Sequence, residues 1–159
     1  MSWRRYCVDA EATQRAGEAF ARVLRPGDIV LLSGQLGAGK TTFVQGVGRG
    51  LGLSDRITSP TFTMVRQHDA RNDFGITTLH HADVYRVDTL DEVIDLALGE
   101  LVEESAVALV EWGDIATSVF GRDVMTVTFV LDDGDARTLV VEGALSDSRR
   151  DALDVWAAA

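Results

Sequence analysis

The chain has 159 residues, 46% of them hydrophobic, which suits one soluble globular domain with a sizeable core. Its formal net charge of −10 repels phosphate backbones, so we expect no direct, tight nucleic-acid binding. Cys7 is the only cysteine, and no stretch predicts a membrane span or a signal peptide, so we expect a single cytoplasmic domain, residues 1–159, without membrane attachment.

The first half of the chain alternates predicted strands and helices. Asp9 suits the N-cap of the first helix, and the apolar residues that follow recur at helical spacing. The run GDIVLLS is short and rich in Ile, Val and Leu, as in a strand buried on both faces of a parallel sheet. In chain order, the expected elements are a strand Trp3–Val8, a helix Ala10–Leu24, a strand Gly27–Ser33, and a helix Thr41–Leu51 closed by Gly52.

The second half predicts two antiparallel pairs and further helices. An extended run reaches about His68 and a polar turn follows it, while the DDGD sequence (residues 132–135) is a clear hairpin turn. The remaining elements are a turn Asp69–Gly75, strands Ile76–His81 and Val107–Val110, a helix Thr89–Leu98, a short helix or turn Asp114–Phe120, hairpin strands Met125–Leu131 and Arg137–Glu142, and a helix Ser146–Trp156. This mixture predicts a three-layer α/β domain with a mixed parallel and antiparallel central sheet.

The loop between the second strand and the second helix matches the P-loop pattern G-x-x-x-x-G-K-[ST] at every position. Lys40 lies at the lysine of this pattern and is the only lysine in the chain. Its ammonium suits the β- and γ-phosphates of a nucleotide, and the Thr41 hydroxyl suits Mg²⁺. A Rossmann fingerprint is disfavoured because Thr42 stands where its third glycine would fall. The predicted nucleotide contacts are Gly34, Gly37, Ala38, Gly39, Lys40, Thr41 and Thr42.

A strand that ends in a carboxylate adds to the pattern of a P-loop NTPase. The apolar strand Ala108–Val110 ends in Glu111, where such proteins place a carboxylate near Mg²⁺. The alternative is a surface carboxylate at a strand end. Trp112 follows directly, and it suits either a core aromatic or a side chain packed against the nucleotide site.

Two further segments carry polar side chains that suit phosphate chemistry. In the segment HADVYR (residues 81–86), extended backbone would place His81, Asp83 and Tyr85 on one face, where a carboxylate could reach a metal-bound water. A polar sheet edge or a helix-capping aspartate explains the same residues equally well. Ser59 and Thr61 flank Pro60 about twenty residues beyond the P-loop, as in switch segments near a γ-phosphate, although turn chemistry also explains them.

The segment 91–104 carries six acidic and no basic residues. Such a segment is typical of a solvated helix face, and it is also a candidate docking surface for a basic protein partner.

Together these motifs resemble the TsaE family (formerly YjeE), the small ATPases of bacterial tRNA threonylcarbamoyladenosine synthesis. The resemblance extends from about residue 10 to residue 145. It rests on the P-loop with Phe43, the SPTFT segment (residues 59–63), the H-x-D-x-Y-R signature (residues 81–86) and the Glu111–Trp112 pair.

The resemblance implies a P-loop ATPase that uses ATP and Mg²⁺, has low activity alone and acts with the TsaB–TsaD protein complex. TsaD would transfer the threonylcarbamoyl group to tRNA, and ATP hydrolysis would reset the complex. By motif position, Lys40 would hold phosphates, Thr41 and Glu111 would serve Mg²⁺, and Asp83 would serve hydrolysis. Trp112 would support the site.

The chain departs from the family pattern at two positions. Gly113 stands where proline commonly follows Glu-Trp, and Gln35 stands where an acidic residue is common. Arg86 suits either a transition-state charge stabiliser or a salt-bridge partner. Two alternative functions stay open: a small-molecule P-loop kinase, for which Arg66 and Arg71 are the candidate lid arginines, and a nucleotide-gated scaffold that needs no hydrolysis.

Overall fold

The computed structural model describes residues 1–35, 37–58, 65–83, 102, 105–111, 124–143 and 145–159. The helices in these ranges are α1 (Ala10–Phe20), α2 (Lys40–Gly50) and α3 (Asp147–Ala158). The strands are β1 (Ser2–Cys7), β2 (Ile29–Ser33), β3 (Val65–Asp69), β4 (Thr78–Asp83), β5 (Ala106–Glu111), β6 (Met125–Leu131) and β7 (Arg137–Glu142).

The described strands form one mixed sheet in the order β1-β7-β6-β2-β5-β4-β3. The four central strands β6, β2, β5 and β4 run parallel, whereas β7, β1 and β3 join them through antiparallel pairs. The carboxyl ends of β2, β5 and β4 therefore meet at one edge, where Ser33, Glu111 and Asp83 end their strands. This confirms the predicted α/β class and mixed sheet.

Both faces of β2, β4 and β5 are buried along their middle residues, as the apolar composition of β2 and β5 predicts. The described helices cover one face, where an aromatic cluster joins α1, α2, α3 and β6. Phe43 lies 5.3 Å from Phe20 and 5.5 Å from Phe129 between ring centroids, and Phe20 lies 5.7 Å from Trp156. On the opposite face, Leu31 is fully buried, as a three-layer domain requires.

Glycines allow α1 and α2 to pack in very close contact. A methyl group added to Gly46 would lie 1.9 Å from the carbonyl oxygen of Gln14, and one added to Gly17 would lie 2.2 Å from that of Phe43. Only hydrogen side chains fit at these crossing points. The close contact fixes α2, which begins at Lys40, against the rest of the fold.

Helix α3 connects to both the first strand and the first helix. Trp3 Nε1 donates to Asp154 Oδ1 at 2.8 Å, and Arg5 Nη1 donates to the Trp156 carbonyl oxygen at 2.9 Å. Trp156 Nε1 donates to the Ala16 carbonyl oxygen at 2.9 Å. Burial lowers the pKa of Arg5 and raises that of Cys7, which packs in the same core. Cys7 is thus a packing residue, as expected from its place on the first strand.

Two predicted boundaries move for local reasons. Helix α1 ends at Phe20 rather than Leu24, because the following turn tightens into i→i+3 hydrogen bonds before Pro26. Strand β4 runs over Thr78–Asp83 rather than Ile76–His81. The side-chain amide of Asn72 donates to the Ile76 carbonyl oxygen at 2.8 Å, which holds this residue in the preceding turn.

The other boundaries in the described ranges lie close to their predictions. Gly52 ends α2 with φ 74°, and the amide of Leu53 donates to the Gly48 carbonyl oxygen at 3.0 Å, as expected for a glycine-terminated helix. The predicted helices Thr89–Leu98 and Asp114–Phe120 lie outside the described residues. No helix in the described part of the chain is long and apolar enough to cross a membrane.

Candidate functional site

The P-loop joins the end of β2 to the start of α2 at the carboxyl edge of the parallel strands. Gly37 and Gly39 adopt φ values of 80° and 99°, a left-handed region that favours glycine. Gly39 is also the N-cap of α2, and no side chain caps the helix there. The first amides of α2 and its dipole therefore favour an anion at this end.

Lys40 is 4% exposed, and its side chain folds back over the loop. Its Nζ donates to the carbonyl oxygens of Gly34 at 2.6 Å and Gln35 at 3.2 Å. The Gln35 carbonyl oxygen also accepts from the amide of Ala38 at 3.0 Å. The backbone of Gln35 thus shapes the loop while its side chain is exposed, so the missing acidic group at this position leaves these contacts intact.

A second basic side chain lies against the loop. Arg137 begins β7, and its guanidinium packs so closely on Gly39 that an added methyl group there would lie 2.5 Å from Nη1. Its Nη2 donates to the carbonyl oxygen of Asp135 at 3.1 Å, which orients the side chain. The site therefore carries positive charge from Lys40 on one element and from Arg137 on another.

Glu111 and Thr41 meet beside the first turn of α2. The Thr41 hydroxyl lies 3.3 Å from both carboxylate oxygens of Glu111, which ends β5 and is 5% exposed. His81 on β4 is fully buried, and its Nε2 lies 2.5 Å from Glu111 Oε2. The structure therefore brings together two predicted metal ligands and a histidine contact that the sequence analysis did not predict.

Asp83 ends β4 directly beside Glu111. The two residues are register partners in the parallel β4–β5 pair, so their side chains share one face of the sheet. Asp83 is half-buried. The P-loop, Glu111 and Asp83 therefore lie at the same edge, as the strand-end pattern predicts.

The residues present fit a magnesium ion held jointly with a nucleotide. A hydroxyl and a carboxylate are hard oxygen donors of the kind Mg²⁺ prefers, and such sites need only one or two protein ligands beside phosphates and water. Thr41 and Glu111 supply this pair. Among the described residues, no cluster of three or more His, Cys, Asp or Glu side chains could enclose a metal by itself.

Several predicted site residues lie outside the described ranges. These are Ser59, Thr61, Arg86, Trp112 and Gly113, and the acidic segment 91–104 is also outside them except for Val102. Their predicted roles stay predictions. Thr42 is described and lies half-buried in the first turn of α2.

The two arginines predicted as a kinase lid, Arg66 and Arg71, lie on different parts of the fold. The amide of Arg71 donates to the carbonyl oxygen of Leu51 at 3.1 Å, at the end of α2 opposite to Lys40. An eleven-residue helix spans roughly 16 Å, so Arg71 is far from the P-loop. Arg66 on β3 donates to the Thr58 hydroxyl at 3.2 Å.

Sequence reasoning missed the roles of Arg137 and His81 for different reasons. Arg137 is one of fourteen arginines and stands about a hundred residues from the P-loop, so only the sheet order brings it to Gly39. His81 had a usable signal, because it stands two residues before Asp83 on one predicted strand face.

Three comparisons identify relatives of this chain. A family model described as "Threonylcarbamoyl adenosine biosynthesis protein TsaE" matches residues 7–139. Two proteins named tRNA threonylcarbamoyladenosine biosynthesis protein TsaE are similar in sequence. The one from Treponema pallidum is 39% identical to this chain, and the one from Bacillus subtilis is 36% identical. The alignments cover 84% and 87% of this chain, and 98% and 83% of those proteins.

The solved structures include a similar fold. The crystal structure of Bacillus subtilis YdiB superposes with a TM-score of 0.71 at 28% sequence identity. The match covers 98% of this chain and 94% of that one. Because the family model spans most of the sequence and two relatives at 39% and 36% identity align over 98% and 83% of their own length, this chain belongs to the TsaE family.

Proposed function

We propose that this chain is an ATP-binding, Mg²⁺-dependent ATPase of low intrinsic activity. In this proposal it supports threonylcarbamoyladenosine modification of tRNA in the cytoplasm by acting on the TsaB–TsaD complex. One observation carries the ATPase part: Thr41 and Glu111 converge within 3.3 Å beside the P-loop that holds Lys40. The names of the relatives support the role in tRNA modification.

Each residue at the edge has a distinct task in this proposal. Thr41 and Glu111 would hold Mg²⁺, which would neutralise negative charge on the β- and γ-phosphates. The Lys40 ammonium, which donates to the Gly34 and Gln35 carbonyl oxygens, would donate to phosphate oxygens of a bound nucleotide. Asp83 lies beside Glu111 and orients the attacking water by accepting its hydrogen bond.

The decisive experiment measures ATP hydrolysis by the full chain, alone and with purified TsaB–TsaD. We expect slow hydrolysis alone and a clear stimulation by the complex. Asp83→Ala should remove stimulated hydrolysis while nucleotide binding persists. Asp69→Ala is the matched control, because this exposed aspartate lies on the neighbouring strand β3.

The outcomes separate the alternatives. Absence of both stimulation and binding to TsaB–TsaD would contradict the proposal. If Asp83→Ala binds ATP, hydrolyses none and still supports normal tRNA modification, the nucleotide-gated scaffold is the correct function. Phosphate transfer to a metabolite without a protein partner would indicate a kinase, although the position of Arg71 disfavours the predicted lid.

A further inference from the structure

His81 makes an unusual polar contact inside the sheet. The residue is fully buried on β4, and its Nε2 lies 2.5 Å from Oε2 of Glu111. In the β4–β5 register, His81 pairs with Leu109, two residue pairs before the Asp83–Glu111 pair and on the same sheet face. The imidazole therefore reaches forward along one sheet face to the carboxylate at the edge.

A carboxylate that binds a metal is ionised and only accepts hydrogen bonds. A metal-binding Glu111 therefore requires the proton on His81 Nε2, which then donates to it. The other ring nitrogen, Nδ1, is buried and has no hydrogen-bond partner among the described residues. A buried polar atom left without a partner costs about 1–3 kcal/mol, so an apolar side chain would pack here more cheaply if packing were the only requirement.

We propose that His81 is a positioning residue that orients Glu111 for the divalent cation of a bound nucleotide. With Oε2 engaged by His81, Oε1 and the Thr41 hydroxyl stay available to the cation. Hydrogen bonds to metal-binding carboxylates fix their rotamer, and losing such a bond typically lowers metal affinity about 10- to 100-fold. This inference rests on the proposed Mg²⁺-dependent nucleotide binding.

A second buried histidine supplies the matched control. His68 lies on the adjacent strand β3, is 4% exposed, and has no hydrogen-bond partner for either ring nitrogen among the described residues. It pairs in register with Leu79, two residues before His81, and neither of its ring nitrogens donates a hydrogen bond to Glu111. Changing His68 tests the effect of altering a buried histidine without touching the carboxylate.

The test measures Mn²⁺ binding to the full chain with saturating ADP by electron paramagnetic resonance. ADP affinity in EDTA is measured by calorimetry in parallel. We compare His81→Gln, His81→Asn and His68→Gln with the unmodified chain. A glutamine amide nitrogen reaches about as far as imidazole Nε2, whereas that of asparagine falls short of it. Both replacements are polar and uncharged, and thermal denaturation verifies that each variant is folded.

We expect His81→Asn to weaken Mn²⁺ binding about 10- to 100-fold and to leave ADP affinity in EDTA unchanged. His81→Gln should recover most of the loss, and His68→Gln should match the unmodified chain. Equal Mn²⁺ affinity in all variants would overturn the inference. It would also be overturned if His81→Asn lowered ADP affinity in EDTA as much as it lowered Mn²⁺ affinity. If the unmodified chain binds ADP without any response to the metal, the proposed function itself fails, which is a separate outcome.

A double substitution tests whether His81 acts through Glu111. In a Glu111→Gln background, His81→Asn should cause no further loss of Mn²⁺ affinity, because the carboxylate that it orients is gone. A fully additive loss would show that His81 affects the metal by another route. This result would overturn its role as a positioning residue for Glu111.

Discussion

The chemistry of the site depends on a few charged or polar side chains that are held in place by contacts with the backbone. Lys40 is the clearest case, since its ammonium contacts two loop carbonyl oxygens while the residue is 4% exposed. A compact ammonium fits this space, whereas a guanidinium is a wider planar group with fixed donor directions. The identity of the cation therefore matters here beyond its charge.

Lys40→Arg tests this point. We expect at least a roughly tenfold loss of ATP affinity, about 1.4 kcal/mol, because the guanidinium cannot occupy the same space in the loop. Fluorescent-nucleotide binding measures the loss. Arg49→Lys is the control exchange, since it alters an exposed residue in the last turn of the same helix. Unchanged affinity in Lys40→Arg would mean that charge alone suffices.

Arg137 leads to a second prediction. Its guanidinium packs on Gly39, so Arg137→Ala should weaken ADP and ATP binding by roughly tenfold through loss of positive charge beside the phosphate loop. Arg4→Ala removes the same charge from an exposed residue of β1 whose register partner, Val140, lies on the opposite sheet face from Arg137. Equal affinity in the two variants would exclude a special role for Arg137.

How much of the site the sequence predicts depends on how local each contact is. The motif predicts the place of Lys40 in the loop, and its hydrogen bonds to the loop carbonyl oxygens lie within six residues of it. The Thr41–Glu111 contact spans seventy residues, yet strand-end patterns predict it because parallel strands share an edge. The Arg137–Gly39 contact depends on the order of β7, β6 and β2, which no local pattern encodes.

Among the elements, the pair α1 and α2 explains how a glycine-rich helix is stable. Helix α2 contains Gly46, Gly48 and Gly50, each of which costs about 1 kcal/mol of intrinsic helix propensity. Its stability must come from packing, and Gly46 lets the backbone of α1 approach at the carbonyl oxygen of Gln14. The periodic apolar pattern predicts both helices, but it does not predict which face of α2 contacts the backbone of α1.

Gly46→Ala should therefore destabilise the fold despite the better helix propensity of alanine. The new methyl group would meet the backbone of Gln14, and overpacking of this kind costs about 1–3 kcal/mol. Gly48→Ala gains the same propensity but meets only the flexible ends of Ile57 and Leu53, so it should be nearly neutral. Urea denaturation compares them, and equal stabilities would refute the proposed close contact.

Strand β3 contributes a pH dependence through His68. Burial lowers the pKa of His68, and nearby His81 and Arg66 lower it further, while Asp55 opposes them. Because the folded-state pKa is below the unfolded value of about 6.5, the stabilising contribution is complete above that pH. It is lost as the pH falls below 6.5, by at most about 1.4 kcal/mol per pH unit.

His68→Gln should flatten this part of the stability profile. Urea midpoints measured between pH 7.5 and pH 5 should fall less steeply in the variant than in the unmodified chain, because glutamine does not titrate. Parallel profiles would show that His68 does not account for the loss.

On the scale of the whole molecule, charge separates the site from the rest of the surface. The chain carries a net charge of −10, and its positive groups at the P-loop are Lys40 and Arg137 among the described residues. Such a distribution favours a small anion in the site and disfavours a long polyanion across the surface. The proposed role in tRNA modification therefore requires a partner that holds the tRNA.

A binding experiment tests this requirement. Electrophoretic mobility shifts with unmodified tRNA at 150 mM salt should detect no complex with the chain alone at low micromolar concentration, roughly the limit of non-specific binding. Addition of TsaB–TsaD is the positive control, because a shift in its presence shows that the tRNA can be bound. Tight binding by the chain alone, weakened by salt, would contradict the prediction.

The sheet order also constrains how the protein is made. Strand β2, which carries the P-loop, pairs with β5 and β6, both of which are synthesised long after it. During synthesis on the ribosome, β2 therefore has no neighbouring strand to pair with until residues 106–131 have been made. Long-range pairing of this kind slows folding, and a nascent chain that stalls before residue 106 should bind no nucleotide. A complete P-loop motif in a truncated transcript would thus encode no working ATP site.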